Sequence, residues 1–139
     1  MIPIMQTDLT FETGNCGEAC IASILELELS DILIFGNPDN PEDGKFYCKS
    51  IRNFLNKFGY SYIDIEMSKE YDPIDFLKDC WVIATGKSPR ATKKEQRHAV
   101  VWKNGEIIHD PHPSGDGLKE IEMYGVFIKM NPSIKRREK

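Results

Sequence analysis

No apolar run in this 139-residue sequence approaches the length of a membrane-spanning helix. The start of the chain, Met1-Ile2-Pro3-Ile4-Met5-Gln6, lacks the charged and apolar regions of a signal peptide, so the expected location is cytoplasmic. The excess of one sign of charge is small too. A net charge of −4 gives no footing for general nucleic-acid binding. There are no repeats and no dividing linker. Residues 1–130 therefore read as one domain, and 131–139 as a flexible basic tail ending Lys135-Arg136-Arg137-Glu138-Lys139. Cysteine is sparse, at positions 16, 20, 48 and 80. A reducing compartment argues against two disulfides. Cys20, Cys48 and Cys80 fall in apolar, regularly patterned segments and read as buried thiols. A metal site would have to recruit Cys16, Cys20, His98, His109 or His112. Cys-x3-Cys with no second matched pair is a poor zinc pattern, so no metal and no cofactor are expected.

What is present is a globular composition, 40% hydrophobic and 29% charged, in a chain long enough for one real core. Cys20, Ile21, Ile24, Leu25 and Glu28 fall at helical spacing, which predicts a helix from Cys16 to about Leu29. Asn15 is its expected N-cap. Ala19, Ala22 and Ser23 are small, as a central buried helix requires. Two prolines and two glycines make 36–45 a loop. Tyr47, Ile51, Phe54, Leu55 and Phe58 then form an amphipathic stripe, stopped at Gly59. Strands are expected at Tyr60–Glu66, Cys80–Thr85, His98–Trp102, Glu106–His109 and Ile121–Met130, with a short helix begun by Asp72-Pro73. Helices first and strands after give an α+β class, an N-terminal helix packed on an antiparallel sheet.

The run Gly14-Asn15-Cys16-Gly17-Glu18-Ala19-Cys20 puts one thiol at a helix N-terminus. Backbone N–H groups and the macrodipole favour negative charge there, which predicts a lowered pKa and a nucleophile. His98 and Asp110 supply a base and a carboxylate far downstream. The turn Lys103-Asn104-Gly105 can be built two ways. A two-residue Asn-Gly loop sets His98 opposite Pro111, with Asp110 on the other face. A three-residue loop pairs Trp102 with Glu106 and sets His98 opposite Asp110. A functional dyad predicts the second. In that arrangement Cys16 attacks a carbonyl carbon and His98 serves as base and then acid. Asp110 orients the imidazole. The backbone N–H of Cys16 and the side-chain amide of Gln6 are the candidate oxyanion donors.

Asn15-Cys16-Gly17-Glu18-Ala19-Cys20, His98-Ala99-Val100-Val101 and Asp110-Pro111 together resemble small papain-like cysteine peptidases. The blocks are most similar to the bacteriocin leader-processing peptidase domains and their stand-alone, phage-type relatives. The likeness runs in block order from Gln6 to about Gly117. It implies a papain-like fold, Cys16 as nucleophile and a peptide, protein or small amide as substrate. It implies no cofactor. Gln6 lies ten residues before Cys16, further upstream than the family pattern, and the loop Thr7–Gly14 would have to absorb the difference.

The same site could pass its acyl group to an amine, as transglutaminase-like enzymes do. A degenerate fold could instead serve as a protein-binding module. His109 and His112 read as structural or surface residues, His112 in a rigid loop that could border the cleft. The basic stretch 87–97 reads as a solvated loop or as a flap meeting an acidic partner. Trp102 reads as core. Oligomeric state has no signature in the sequence.

Overall fold

The computed structural model describes residues 1–32, 41–68, 70 and 72–130, with 41–48 as backbone. The tail 131–139, positions 36–40 of the expected loop and the burial expected of Cys48 lie outside the described residues. In chain order the elements are α1 (Cys16–Leu25), α2 (Pro41–Asn56), β1 (Tyr60–Glu66), β2 (Val82–Lys87), β3 (Arg97–Lys103), β4 (Glu106–His109) and β5 (Glu120–Lys129). Short 3-10 helices occupy Leu29–Asp31 and Pro73–Leu77. The class is α+β. The five strands form one antiparallel sheet in the order β1-β5-β2-β3-β4.

Both helices pack on one face of that sheet. Cys20, Ile21 and Ile24 of α1 join Ile51, Phe54 and Leu55 of α2 over Tyr62, Ile83, Ala99, Val101 and Phe127. The opposite face buries Val82, Ala84, Val100, Trp102, Tyr124 and Val126, with Leu77 from the second 3-10 helix. Strand side chains alternate between faces, so β2 and β3, covered on both, read as nearly continuous apolar runs. α1 is buried nearly all round: Ala19, Cys20, Ala22 and Ser23 are fully enclosed. The extended chain 1–6 lies along it, with the Ile2 N–H on Ser23 O and the Ile4 N–H on Ser23 Oγ. This is why the helix carries small residues. Among the described residues, no helix is long and apolar enough to cross a membrane.

Three local expectations are corrected. α1 ends at Leu25, short of Leu29, because Glu26 takes a left-handed φ of 58° and the Leu27 N–H turns back to Ala22 O. α2 begins at Pro41, so 41–45 is helix and not loop. A first-turn proline loses nothing, since its missing N–H would have had no intrahelical partner. Asn15 does not cap α1 with its side chain. Its Oδ1 accepts the N–H groups of Thr7 and Asp8, and its Nδ2 donates to Thr7 Oγ1. The residue fastens the preceding loop.

Candidate functional site

Cys16 opens α1 and is partly buried as a residue. It lies among three backbone N–H groups, those of Ala99, Gly17 and Cys16 itself. These favour a thiolate, as expected of a helix start. Burial outweighs them and pushes the thiol up to about 11. The resting group is therefore a neutral thiol, which corrects the expectation of a lowered value. Cys20, one turn further in, is fully buried, and burial raises its thiol well above the ordinary value. Cys80 is half-buried, and Cys16, Cys20 and Cys80 are all free thiols.

His98 and Asp110 meet, but not by the expected route. Asn104 and Gly105 take φ of 51° and 86°, a two-residue loop that pairs Lys103 with Glu106 and Trp102 with Ile107. The three-residue loop is therefore wrong. With a regular ladder beyond that turn, Asp110 would face away from His98. The register then slips, and Val101 pairs with His109. Ile108 is the extra residue of a β-bulge, and the slip restores the parity that the turn had removed. A second slip, between Thr85 and Gly86, lies in the pairing of β2 with β5, while on its other edge β2 pairs regularly with β3 and sets Gly86 opposite His98. A Cβ on Gly86 would stand 1.7 Å from Glu120 O, so only glycine allows this crossing.

His98 Nε2 lies 2.7 Å from Asp110 Oδ1, with both side chains almost wholly buried. Asp110 also accepts the His112 N–H on Oδ1 at 2.9 Å and the Gly117 N–H on Oδ2 at 2.8 Å. Burial alone would raise the carboxyl. The hydrogen bond from His98 and the two backbone donors outweigh it and hold Asp110 below its ordinary value. An ionised carboxylate only accepts, so His98 Nε2 carries the hydrogen and Nδ1 is the bare nitrogen. Burial lowers the His98 pKa more than Asp110 raises it, and the Arg90 charge lowers it further. The dyad is thus a neutral imidazole on a carboxylate.

Gln6 reaches the same place. Its backbone N–H bonds to Pro111 O at 3.0 Å, tying the segment to the chain just after Asp110. Its Nε2 donates to Asp8 O at 2.8 Å, leaving one amide hydrogen over. Its Oε1 is buried with no partner. The loop Thr7–Gly14 absorbs the long spacing as a knotted turn. Asp8 accepts from Thr10 and Thr13, and Gly14 packs against the Thr10 carbonyl. Cys16, His98, Gln6, His112, Arg90 and Arg97 line one cavity of about 40 Å³, closed on another side by Leu9, Thr10 and Phe11. That is room for a small polar group, such as a carbonyl oxygen, and not for a bulky side chain.

His109, which points away from this cavity, bonds through Nε2 to Ile4 O at 2.8 Å and anchors the N-terminal segment. Arg90 and His112 line the cavity; the sequence left a cleft-bordering loop open for His112 and a flap for 87–97, beside surface roles, without singling out Arg90. The only signal was their position, beside His98 in one case and just after Asp110-Pro111 in the other. No group of three or more His, Cys, Asp and Glu side chains clusters as a metal site among the described residues. No family model, no curated protein and no solved structure matches the chain.

Proposed function

We propose that this chain is a cysteine-dependent hydrolase of papain-like architecture that cleaves a peptide or other amide bond. The observation that carries the reading is the 2.7 Å contact of buried Asp110 with His98, which lines the same cavity as Cys16. Asp110 holds the Nε2 hydrogen, so Nδ1 is the nitrogen left to take the thiol proton. As it does, Sγ attacks the carbonyl carbon, the S–C bond forms, and the π pair moves onto oxygen. The Cys16 N–H and the spare hydrogen of Gln6 Nε2 are the donors assigned to that oxyanion. The imidazolium then protonates the leaving amine as the C–N bond breaks, and water attack on the thioester returns the enzyme.

The protonation states set the pH behaviour. The reacting pair is neutral thiol and neutral imidazole. It exists above the His98 value, which burial depresses below the ordinary 6.5, and below the Cys16 value of about 11. Alkylation of Cys16 by iodoacetamide should therefore keep accelerating toward about pH 11. A preformed thiolate–imidazolium pair would instead give a rate that levels off at or below neutrality. Peptide mass spectrometry of the alkylated protein across pH reads this directly. A plateau below neutrality would replace the neutral resting state with the ion pair. Uniform inertness of Cys16 at every pH would remove the catalytic reading itself.

A further inference from the structure

One side chain, Ser114, brings Arg90 and His112 to the cavity. Arg90 Nη1 donates to Ser114 Oγ at 2.9 Å. His112 Nδ1 accepts the Ser114 backbone N–H at 3.0 Å and lies 2.8 Å from Ser114 Oγ. A backbone N–H can only donate, so Nδ1 is the bare nitrogen of a neutral His112 ring and Nε2 carries the hydrogen. The His112 backbone N–H sits on Asp110, and its ring stands edge-on to His98 with centroids 6.1 Å apart. Both residues thus offer donors beside the triad, and the Arg90 charge is felt at His98.

The two cavity arginines differ in how their charge is answered. Arg97 binds Glu122 closely, Nε to Oε1 at 2.5 Å and Nη2 to Oε2 at 3.4 Å. Among the described residues Arg90 meets a carboxylate only at 3.8 Å, the half-exposed Asp116. Its guanidinium is partly buried, with Nη1 engaged and a planar fork of further N–H groups. A pre-positioned, incompletely neutralised guanidinium next to a neutral N–H donor matches a planar anion.

We propose that Arg90 and His112 bind a carboxylate carried by the substrate, so that the enzyme selects amide bonds beside a negative charge. This rests on the thiol-hydrolase reading, and it makes Arg90 a specificity residue for that site. The carboxylate can belong to an acidic side chain or to a free C-terminus.

Iodoacetate and iodoacetamide form a probe pair of nearly equal size that differs in charge. Both alkylate a thiolate with loss of iodide. Rates at Cys16 are read by peptide mass spectrometry in mildly alkaline, low-salt solution, as the ratio of iodoacetate to iodoacetamide, against the same ratio for a free small thiol. The expected ratio exceeds that reference about tenfold, the scale of one charge-assisted hydrogen bond. It falls to the reference in Arg90→Gln, is partly kept in Arg90→Lys, and shrinks with added salt. Iodoacetyl-glycine, with a terminal carboxylate, and the α-amide of iodoacetyl-glutamate, with only the side-chain carboxylate, separate the two sources. A ratio equal to the reference, with Cys16 still reactive to iodoacetamide, overturns the carboxylate site and leaves the hydrolase reading standing. Inertness to both reagents overturns both.

Discussion

Asp110→Ala should reduce turnover at Cys16 by about a thousandfold or more, the loss seen when the orienting member of a Cys/Ser-His-carboxylate triad is removed. Asp110 accepts three hydrogen bonds, from His98 Nε2, His112 N and Gly117 N. Alanine leaves all three donors without their acceptor in a nearly closed site. Each unmet buried donor costs about 1–3 kcal/mol, partly relieved where water can enter, so a stability loss of about 3 kcal/mol is expected. Asp110→Asn tests the electronic part. One amide oxygen can still accept, but its NH2 must face either His98 or Gly117, where a donor already stands. The asparagine variant should thus keep more stability than activity. Urea denaturation and acylation rates measured on the same preparations give both numbers.

The pH dependence of that stability has a definite sign. Folding depresses the Asp110 carboxyl below its ordinary 3.8. Its contribution is complete above the unfolded value and is lost as pH falls through the lower folded one. Wild type and Asp110→Ala should therefore differ most above about pH 4 and converge in stronger acid. A gap that persists unchanged below that range would mean the carboxylate is not what the variant lost.

Gly14→Ala is the second large effect. An added Cβ would stand 2.1 Å from the Thr10 carbonyl oxygen, a backbone atom with nowhere to go. The turn must open. Opening it strains the bonds that the Asp8 carboxylate accepts from Thr10 and Thr13 and those that Asn15 Oδ1 accepts from the Thr7 and Asp8 N–H groups. The same loop holds Gln6 through Asp8 O and supplies Leu9 and Phe11 to the cavity wall. Overpacking of this kind costs about 1–3 kcal/mol. Because the loop lies outside the main core, acylation of Cys16 should fall by more than that stability change alone would produce. A thermal melt beside the acylation rate separates the two. A variant that melts early yet acylates at the wild-type rate would show that the loop does not shape the site.

How far the sequence carries one toward this site differs residue by residue. Cys16, His98 and Asp110 each stand in a short motif whose chemistry constrains its neighbours, whereas Gln6 stands in none and was reached only as an upstream amide; the fold brings all four together. The path that joins His98 to Asp110 was not readable. Asn104-Gly105 is the strongest two-residue hairpin signal, yet parity seemed to demand a three-residue loop. The extra residue sits instead at Ile108, and a bulge inside an apolar run leaves no mark in the pattern. The end of α1 at Glu26 was hidden likewise, since a left-handed glutamate carries no glycine to announce it. Asn15 looked like a cap, but a loop that passes within reach won its side chain. The Cys16 pKa depends on burial, which a helix-start motif does not encode. Arg90 and His112 gain meaning only once the loops are folded around Ser114.

The decisive measurement is the reaction of the protein with an activated ester such as p-nitrophenyl acetate, which needs no knowledge of the natural substrate. The expected result is a stoichiometric burst of nitrophenol with an acetyl group found on Cys16 by peptide mass spectrometry, suppressed in His98→Ala. Slow acetylation spread over Cys80 and surface lysines, with Cys16 unmodified and His98→Ala indistinguishable from wild type, would contradict it.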